Sequence, residues 1–326
     1  MIITRTPLRI SLAGGGSDFP AFVRREAGAV VSTAINKYIY ITVNKKFDER
    51  IRASYSVTEI VDRVEDLRHE LIREALLLTG IAGGIEITSI SDIPSRGTGL
   101  GSSSAYTVGV LHALHAFAGR YVGAKRLAEE ACEIELERLR RPVGRQDQYI
   151  AAFGGLQFIQ FDESGVSVEP VLPGAEVRQA LQEHLLLLYT GVTRNAEAIL
   201  AEQRRNLEEA AETVEDTVRL RDLALDLRLA LLRHRLGEVG EILDAGWTIK
   251  RRLASGITTP QIDEWYARAR AAGALGGKLL GAGGGGFLLL FAPPRDHGAI
   301  LESLPELRPV PFRFEPYGSR VIYVEE

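Results

Sequence analysis

Three glycine-rich segments, separated by long stretches of chain, constrain this sequence more than any other feature. They cover residues 7–18 (PLRISLAGGGSD), 96–105 (RGTGLGSSSA) and 278–286 (KLLGAGGGG). Glycine allows tight turns and close backbone approaches that other residues resist. Because each segment adjoins an apolar run, we expect the fold to bring all three to one site, and we predict that this site holds phosphate groups.

The middle segment connects a predicted strand to a predicted helix. Residues 85–90 alternate in the manner of a strand, and residues 105–117 show the periodicity of an amphipathic helix. The loop between them ends at a helix N-terminus, where unpaired N–H groups and the helix dipole favour an anion. Serine is also a common helix cap. Three glycines and three consecutive serines nevertheless exceed what capping requires.

Two well-known phosphate-binding loops do not fit the sequence. The pattern G-x-x-x-x-G-K-[ST] is absent, since Lys278 is followed by Leu279 where a hydroxyl would be needed. Residues 281–286 match G-x-G-x-x-G, but they lead into the apolar run 287–291, whereas a dinucleotide-binding loop opens a helix. The P-loop NTPase and Rossmann interpretations are therefore excluded.

Length and composition indicate a two-domain enzyme that acts on small molecules. The chain has 326 residues, and a segment containing proline and glycine at 169–175 suggests a first domain at 1–175 and a second at 176–326. The net charge of −4 argues against nucleic-acid or membrane-surface partners. A single cysteine and an N-terminus without an apolar signal segment indicate the cytoplasm. We also allow for a homodimer.

Strands and helices are mixed along the chain, which favours an α/β or α+β fold. Strands are predicted at 35–43, 85–90, 154–161, 185–189 and 287–291. Helices are predicted at 61–79, 105–117, 124–140, 195–235, 238–253 and 261–272.

Asp147 is the candidate catalytic base. It lies in the run 144–148 (GRQDQ), which we predict to be a short loop that places the carboxylate beside Arg145. A carboxylate can orient an attacking hydroxyl or take its proton during phosphoryl transfer, although aspartate also caps helices. Mg²⁺ would need a serine hydroxyl and one acidic side chain. Glu133, Glu135 and Glu137 are the candidates, and spacing does not choose among them.

In order and spacing, the three segments resemble the three motifs of the GHMP kinase superfamily. The resemblance covers nearly the whole chain. It implies an α+β two-domain fold, with a left-handed βαβ unit in the N-terminal domain and a ferredoxin-like α/β C-terminal domain. It also implies an ATP- and Mg²⁺-dependent kinase that binds ATP and its acceptor in the cleft between the domains.

The resemblance assigns roles to individual residues. Asp147 would be the catalytic aspartate, Arg9 would lie near the reacting oxygen, and Asp18 would bind sugar hydroxyls. Ser103 and Glu135 would hold Mg²⁺. The residues expected to wrap the ATP phosphates are Arg96, Gly97, Thr98, Gly99, Leu100, Gly101, Ser102, Ser103 and Ser104. Those expected to support the site from the second domain are Gly281, Gly283, Gly284 and Gly285.

The acceptor follows from a departure within the first motif. Where galactokinases carry Glu-His-Thr, this chain has Gly15, Gly16 and Ser17, which removes bulk and one negative charge. This motif is most similar to that of the heptose 7-phosphate kinases of the superfamily. They phosphorylate the anomeric hydroxyl of D-glycero-D-manno-heptose 7-phosphate on the route to a GDP-activated heptose.

An anion site for the sugar phosphate is predicted after residues 185–189. Its candidate residues are Thr190, Gly191, Thr193 and Arg194. Hydroxyls, N–H groups and a guanidinium suit a phosphate, but a capped helix with an exposed arginine explains the same residues equally well. Another anomeric kinase, acting on fucose, galactose, mannose or a uronic acid, and a non-catalytic sugar or nucleotide sensor remain the alternatives.

Overall fold

The computed structural model describes residues 1–94, 97–192 and 196–325. Its strands are β1 (Ile2–Ala13), β2 (Gly28–Lys45), β3 (Ile51–Ser54), β4 (Thr58–Val61), β5 (Ile85–Ser91), β6 (Leu156–Asp162), β7 (Gly165–Pro170), β8 (Leu185–Tyr189), β9 (Gly276–Leu279), β10 (Phe287–Phe291), β11 (Arg308–Pro309) and β12 (Arg320–Val324). Its α-helices are α1 (Pro20–Val23), α2 (Glu70–Thr79), α3 (Ser102–Phe117), α4 (Ala124–Cys132), α5 (Gln146–Phe153), α6 (Ala175–His184), α7 (Ala196–Glu209), α8 (Ala211–Leu232), α9 (Gly237–Lys250), α10 (Pro260–Ala271) and α11 (His297–Ser303).

The larger sheet is organised around the long strand β2. One part of β2 pairs with β5 and another part with β6, while β1 runs antiparallel along most of its length. The strand order is β12-β1-β2-β5-β3-β4, with β6 and β7 attached through β2. β3 and β5 are parallel and are joined through β4 and α2, which makes them the βαβ unit. Apolar side chains of β1, β2 and α3 form the core beneath this sheet.

The smaller sheet has the order β11-β8-β10-β9. Every residue of β10 is buried, which is why the run 287–291 is apolar without alternation. A second core contains Trp247 of α9 and both Trp265 and Tyr266 of α10. This sheet and its helices carry the third glycine-rich segment between β9 and β10.

The C-terminal end of the chain returns to the first sheet. β7 of the larger sheet ends at Pro170 and β8 of the smaller sheet begins at Leu185, on either side of the predicted domain boundary. β12 then pairs with β1. The division at residue 175 stays a prediction. Within the described ranges, no helix is both long and apolar enough to cross a membrane.

Two predicted helices differ from the structure. Residues 61–79 are not one helix, because Thr58–Val61 form β4 and Val64–Asp66 form a short 3₁₀ turn. α2 starts only at Glu70, after His69, whose Nδ1 accepts a hydrogen bond from the N–H of Ile72 at 3.4 Å. The predicted helix over 195–235 is two helices, α7 and α8, separated at Ala210. The other predicted strands and helices are present, although β2 starts at Gly28, before the predicted 35–43, and the helix predicted at 124–140 is α4 followed by the π-helical turn Glu133–Arg138.

Candidate active site

The second and third glycine-rich segments pack backbone against backbone. Gly99 has φ of +75°, and a Cβ atom there would lie 2.3 Å from the carbonyl oxygen of Leu280. A Cβ on Gly281 would lie 2.3 Å from the Cα of Gly99. Likewise, one on Gly286 would lie 2.5 Å from the carbonyl oxygen of Thr98. Side chains would hold these segments apart, so glycine is required for the two loops to meet.

The first segment joins this contact through Arg9, on the buried strand β1. The N–H of Arg9 donates to the carbonyl of Leu100 at 3.1 Å. Its guanidinium donates to the carbonyl of Gly99 at 2.6 Å and is almost wholly buried. The three segments therefore meet at one site, as the sequence predicts.

Asp147 is held by Arg9 across 138 positions of sequence. Nε of Arg9 donates to Oδ1 of Asp147 and Nη2 donates to Oδ2, both at 2.7 Å. This bidentate pair fixes the carboxylate plane. The predicted loop beside Arg145 is wrong in its local structure: Asp147 lies in the first turn of α5, where the helix dipole favours a carboxylate.

The second glycine-rich segment, which is the predicted phosphate loop, lies next to this carboxylate. Gly101, in the left-handed conformation, precedes the first residue of α3. A Cβ on Gly101 would lie 3.2 Å from Oδ2 of Asp147. The start of α3, with its free N–H groups, is thus beside the candidate base. Such a helix start can hold phosphate oxygens close to a reacting hydroxyl.

Asp18 is buried beside the pair. Its Oδ1 accepts from the N–H of Gly16 at 3.0 Å, and its Oδ2 accepts from the N–H of Gln146 at 3.1 Å. Burial raises the pKa of Asp18, and the charge of Asp147 adds to that shift, while both hydrogen bonds oppose it. The structure therefore brings Asp18 next to the helix that carries Asp147, and its role toward sugar hydroxyls stays a prediction.

Two buried lysines complete the charges of the site, and sequence reasoning missed both as site residues. Lys250, at the end of α9, donates to the carbonyl of Gly281, and Lys278, on β9, donates to that of Leu12 at 3.3 Å. Burial lowers the pKa of Lys250 to about 8, with Arg9 adding to the shift and Asp18 and Asp147 opposing it. Burial also lowers the pKa of Lys278 well below its usual value.

Lys278 offered a sequence signal that could have been used. It stands within the buried strand β9, whose neighbouring residues are glycine and leucine. A charged side chain among apolar positions needs a partner or a function, because burial of an ammonium group is costly. Lys250 offered no comparable local signal, since α9 has exposed charged residues elsewhere.

Ser17 and its neighbours shape the first motif. The Ser17 hydroxyl donates to the carbonyl of Gly14 at 2.8 Å and is fully buried. A Cβ on Gly16 would lie 2.9 Å from the amide nitrogen of Gln203 on α7, which closes the space there. A Cβ on Gly15 would lie 3.5 Å or more from its nearest neighbouring atoms. Of these two glycines, Gly15 thus has more room beside it.

Glu135 lies in a π-helical turn, Glu133–Arg138, directly after α4. Burial raises its pKa, and three side-chain donors oppose the shift. These donors are Thr107 Oγ1 at 2.7 Å, Ser104 Oγ at 2.8 Å and Gln148 Nε2 at 2.6 Å. Of the three glutamates considered, Glu135 is thus the one that points at the start of α3.

The second predicted magnesium ligand, Ser103, faces outward on α3. Its Oγ accepts a hydrogen bond from Arg141 at 3.1 Å. Hydroxyl and carboxylate oxygens are the hard ligands that Mg²⁺ takes in nucleotide sites. The donor chemistry of Ser103 and Glu135 therefore fits the ion, and this pair stays a prediction. Among the described residues there is no cluster of three histidine, cysteine or acidic side chains that could hold a metal.

Thr190 and Gly191 meet the third glycine-rich segment. Thr190 donates from its N–H and its Oγ1 to the carbonyl of Gly286, each at 2.9 Å. Gly191 has φ of +72° and has open space beside it. The other predicted anion ligands, Thr193 and Arg194, lie outside the described residues, as does Arg96 of the phosphate loop.

The remaining glycines of the third segment pack against two other loops. A Cβ on Gly283 would lie 2.6 Å from the Cα of Ile257, and Gly284 donates its N–H to the Ile257 carbonyl at 2.9 Å. A Cβ on Gly285 would lie 2.3 Å from the carbonyl oxygen of Val192. These contacts hold the segment in place beside the phosphate loop.

Comparisons with known proteins agree with this geometry. The model of the GHMP kinases N terminal domain matches residues 62–155, and that of the GHMP kinases C terminal matches residues 227–307. The D-glycero-alpha-D-manno-heptose 7-phosphate kinase of Campylobacter jejuni is 30% identical over 319 residues, which cover 93% of each chain. The chain belongs to the GHMP kinase family. It is therefore an enzyme, a sugar kinase, and ATP is the phosphoryl donor that the family implies.

Solved structures confirm the fold expected for this GHMP kinase. The D-glycero-D-manno-heptose 1-phosphate kinase from Bacteriodes thetaiotaomicron has a TM-score of 0.81 at 26% identity, with 100% of each chain covered. The galactokinase of Lactococcus lactis shares the fold with a TM-score of 0.79 at 17% identity, and the match covers 98% of this chain and 94% of that one.

A further sequence relative is the L-fucokinase/L-fucose-1-P guanylyltransferase of Bacteroides fragilis. It is 29% identical, and the match covers 94% of this chain but only 36% of that protein.

Proposed function

We propose that this GHMP kinase phosphorylates the anomeric hydroxyl of D-glycero-D-manno-heptose 7-phosphate and forms the 1,7-bisphosphate, a precursor of GDP-activated heptose. The similarity to the Campylobacter heptose 7-phosphate kinase over 93% of both chains carries the proposal. The absence of side chains at Gly15 and Gly16 supports it, because a seven-carbon sugar needs more room than a hexose.

The proposed chemistry is direct transfer between ATP and the sugar. The anomeric oxygen forms a bond to the γ-phosphorus, the bond from that phosphorus to the β–γ bridging oxygen breaks, and ADP leaves. The proton of the hydroxyl passes to Asp147. Arg9 holds that carboxylate in one orientation by two hydrogen bonds of 2.7 Å. The N–H groups at the start of α3 are placed to bind phosphate oxygens.

Ser103 and Glu135 are the proposed Mg²⁺ ligands. When bound, the ion would offset the negative charge of the ATP phosphates. The orientation of Glu135 toward the start of α3 supports this assignment. Asp18 is proposed to bind sugar hydroxyls, with Gly15, Gly16 and Ser17 shaping the acceptor space around it.

Thr190, Gly191, Thr193 and Arg194 are the proposed ligands of the sugar 7-phosphate. The contact of Thr190 with Gly286 supports a position close to the third glycine-rich segment. We also propose that the enzyme works in the cytoplasm, on the ground of its single cysteine.

The test is ADP release with Mg²⁺ present and absent, using D-glycero-D-manno-heptose 7-phosphate beside sedoheptulose 7-phosphate, mannose, galactose and fucose. We expect Mg²⁺-dependent turnover confined to the mannoheptose phosphate. Equal turnover of an unphosphorylated hexose would reject the heptose assignment and leave the sugar kinase in place.

Fucose is the second candidate acceptor. The Bacteroides fragilis fucokinase and the fucokinase of Arabidopsis thaliana match 94% and 88% of this chain. Preference for fucose in the same assay would select it.

A further inference from the structure

A cavity of about 570 Å³ opens beside the start of α3. Ser102 and Ser103 line one end of it. His69 and Tyr106 line another part, and their rings are stacked at a centroid distance of 5.1 Å. Stacked rings beside a helix N-terminus suit a nucleotide, whose base is planar and whose phosphates are anionic.

Arg141 lies in this cavity, and the proposed chemistry has not used it. Its Nη1 donates to Oγ of Ser103 at 3.1 Å, and its Nη2 donates to Oε2 of Glu70 at 3.2 Å. The guanidinium therefore spans from the phosphate loop to the start of α2. It is hydrogen-bonded to the hydroxyl that is proposed to bind Mg²⁺.

The backbone around Arg141 is fixed by an unusual local conformation. Arg140 has φ of 51°, in the left-handed region that is strained for a non-glycine residue. The N–H of Arg141 then donates to the carbonyl of Glu135 at 2.8 Å. The reversal of the chain after the π-helical turn thus turns Arg141 back toward the start of α3.

The present partners of Arg141 are weak enough to be exchanged. The side chain of Glu70 is 53% exposed and that of Arg141 is 23% exposed. Ion pairs this open to water contribute little to the stability of the fold. A phosphate instead offers the planar guanidinium two charged oxygens that can accept a pair of parallel hydrogen bonds. Removing Arg141 should therefore affect a bound phosphate far more than the folded protein.

We propose that Arg141 binds the phosphate chain of the nucleotide, leaving Ser103 and Glu70 when ATP enters the cavity. The exchange frees the Ser103 hydroxyl at the moment the phosphates arrive. This inference rests on ATP as the donor of the GHMP kinase and on no assumption about the sugar.

The test is calorimetric binding of ATP, ADP, AMP and adenosine without any sugar. We expect Arg141→Ala to weaken ATP binding about 10-fold or more, as loss of a charged hydrogen bond does. The effect should decrease from ATP to AMP and vanish for adenosine, and Arg141→Lys should restore part of it. Arg138→Ala is the matched control, since Arg138 bonds to Glu133 in the same segment and does not line the cavity.

Unchanged ATP binding in Arg141→Ala would overturn the proposal. Equal weakening of ATP and adenosine would also overturn it, because that pattern reports a change in cavity shape. The variant Glu70→Gln tests whether Arg141 acts on the nucleotide itself or only through its ion pair with Glu70. We expect it to leave ATP binding unchanged or tighter, and a loss as large as that of Arg141→Ala would mean that the pair acts only as a structural contact. Because no sugar is present, failure of the heptose assignment would not alter these results.

Discussion

The two ends of the active site differ in how much of their polar surface is already engaged. At the proposed nucleotide end, the start of α3 borders a cavity of about 570 Å³, and Arg141 is held by exposed or half-exposed partners. At the proposed acceptor end, Asp18 is buried and both of its carboxylate oxygens accept backbone N–H groups. The Ser17 hydroxyl there is also bonded to backbone.

This contrast indicates that the two substrates must replace protein contacts of different strength when they bind. A nucleotide can enter an existing cavity and replace weak surface contacts. A sugar that is to reach Asp18 must share or replace hydrogen bonds that already satisfy a buried carboxylate, and such bonds are costly to break. We therefore expect substitutions at the acceptor end to change acceptor use and leave nucleotide binding almost unaffected.

The largest effect is expected from Asp147→Asn, which lies where the two ends meet. The amide cannot accept the proton, so turnover should fall about 100- to 10,000-fold. ATP affinity measured by calorimetry should change by less than about 3-fold, because the loop and the cavity remain. Full activity of this variant would remove Asp147 from the role of base.

Asp18→Ala sharpens the comparison from the acceptor side. Loss of the carboxylate should lower kcat/KM for the sugar about 10- to 100-fold, the effect of one or two lost hydrogen bonds to a charged group. The KM for ATP should stay within about 3-fold. Steady-state kinetics with each substrate varied in turn would measure both, and equal losses would contradict the separation of the two ends.

Gly144→Ala should displace the Asp18 carboxylate without removing it. A Cβ on Gly144 would lie 1.9 Å from Oδ2 of Asp18, so we expect a destabilisation of about 1–3 kcal/mol and a higher KM for the sugar. Gly123→Ala is the matched control, because no atom lies within 4 Å of its Cβ position. Urea denaturation and steady-state sugar kinetics would compare the two variants. Identical stability and identical KM would show that the Asp18 side chain moves aside without cost.

Lys250→Met tests the buried charge of the acceptor end through pH. The folded pKa of Lys250 is lowered from 10.5 to about 8, so burial of its charge costs stability below about pH 8, and this cost fades as pH rises toward 10.5. The stability of the variant relative to wild type should therefore decrease by about 2–3 kcal/mol between pH 7 and pH 10. Denaturant titrations at both pH values measure this, and a constant difference would contradict a buried charged lysine.

The glycine contacts could be predicted from sequence because their cause is local. Only glycine tolerates φ of +75° beside a backbone oxygen at 2.3 Å, and Gly99 and Gly281 show this at the contact of two loops. Three such loops in one chain therefore indicated one site. The GHMP resemblance then added the fold, which periodicity left open between α/β and α+β.

The partners of the charged residues could not be predicted in this way. Asp147 pairs with Arg9 rather than with its neighbour Arg145, because α5 turns its carboxylate toward β1. Lys250 reaches the site only because α9 packs beside β9. These contacts join residues far apart in sequence, and no local pattern encodes them. The helix predicted at 61–79 was wrong because a capping histidine delays α2 until Glu70.

The most direct test of the account is the position of the new phosphate in the product. The enzyme would be incubated with ATP, Mg²⁺ and D-glycero-D-manno-heptose 7-phosphate, and the product examined by phosphorus and carbon NMR beside the Asp147→Asn variant. The account predicts a second phosphate ester on the anomeric carbon, formed with equal ADP and absent from the variant. Release of free phosphate without a new sugar ester, or a phosphate on another carbon, would contradict it.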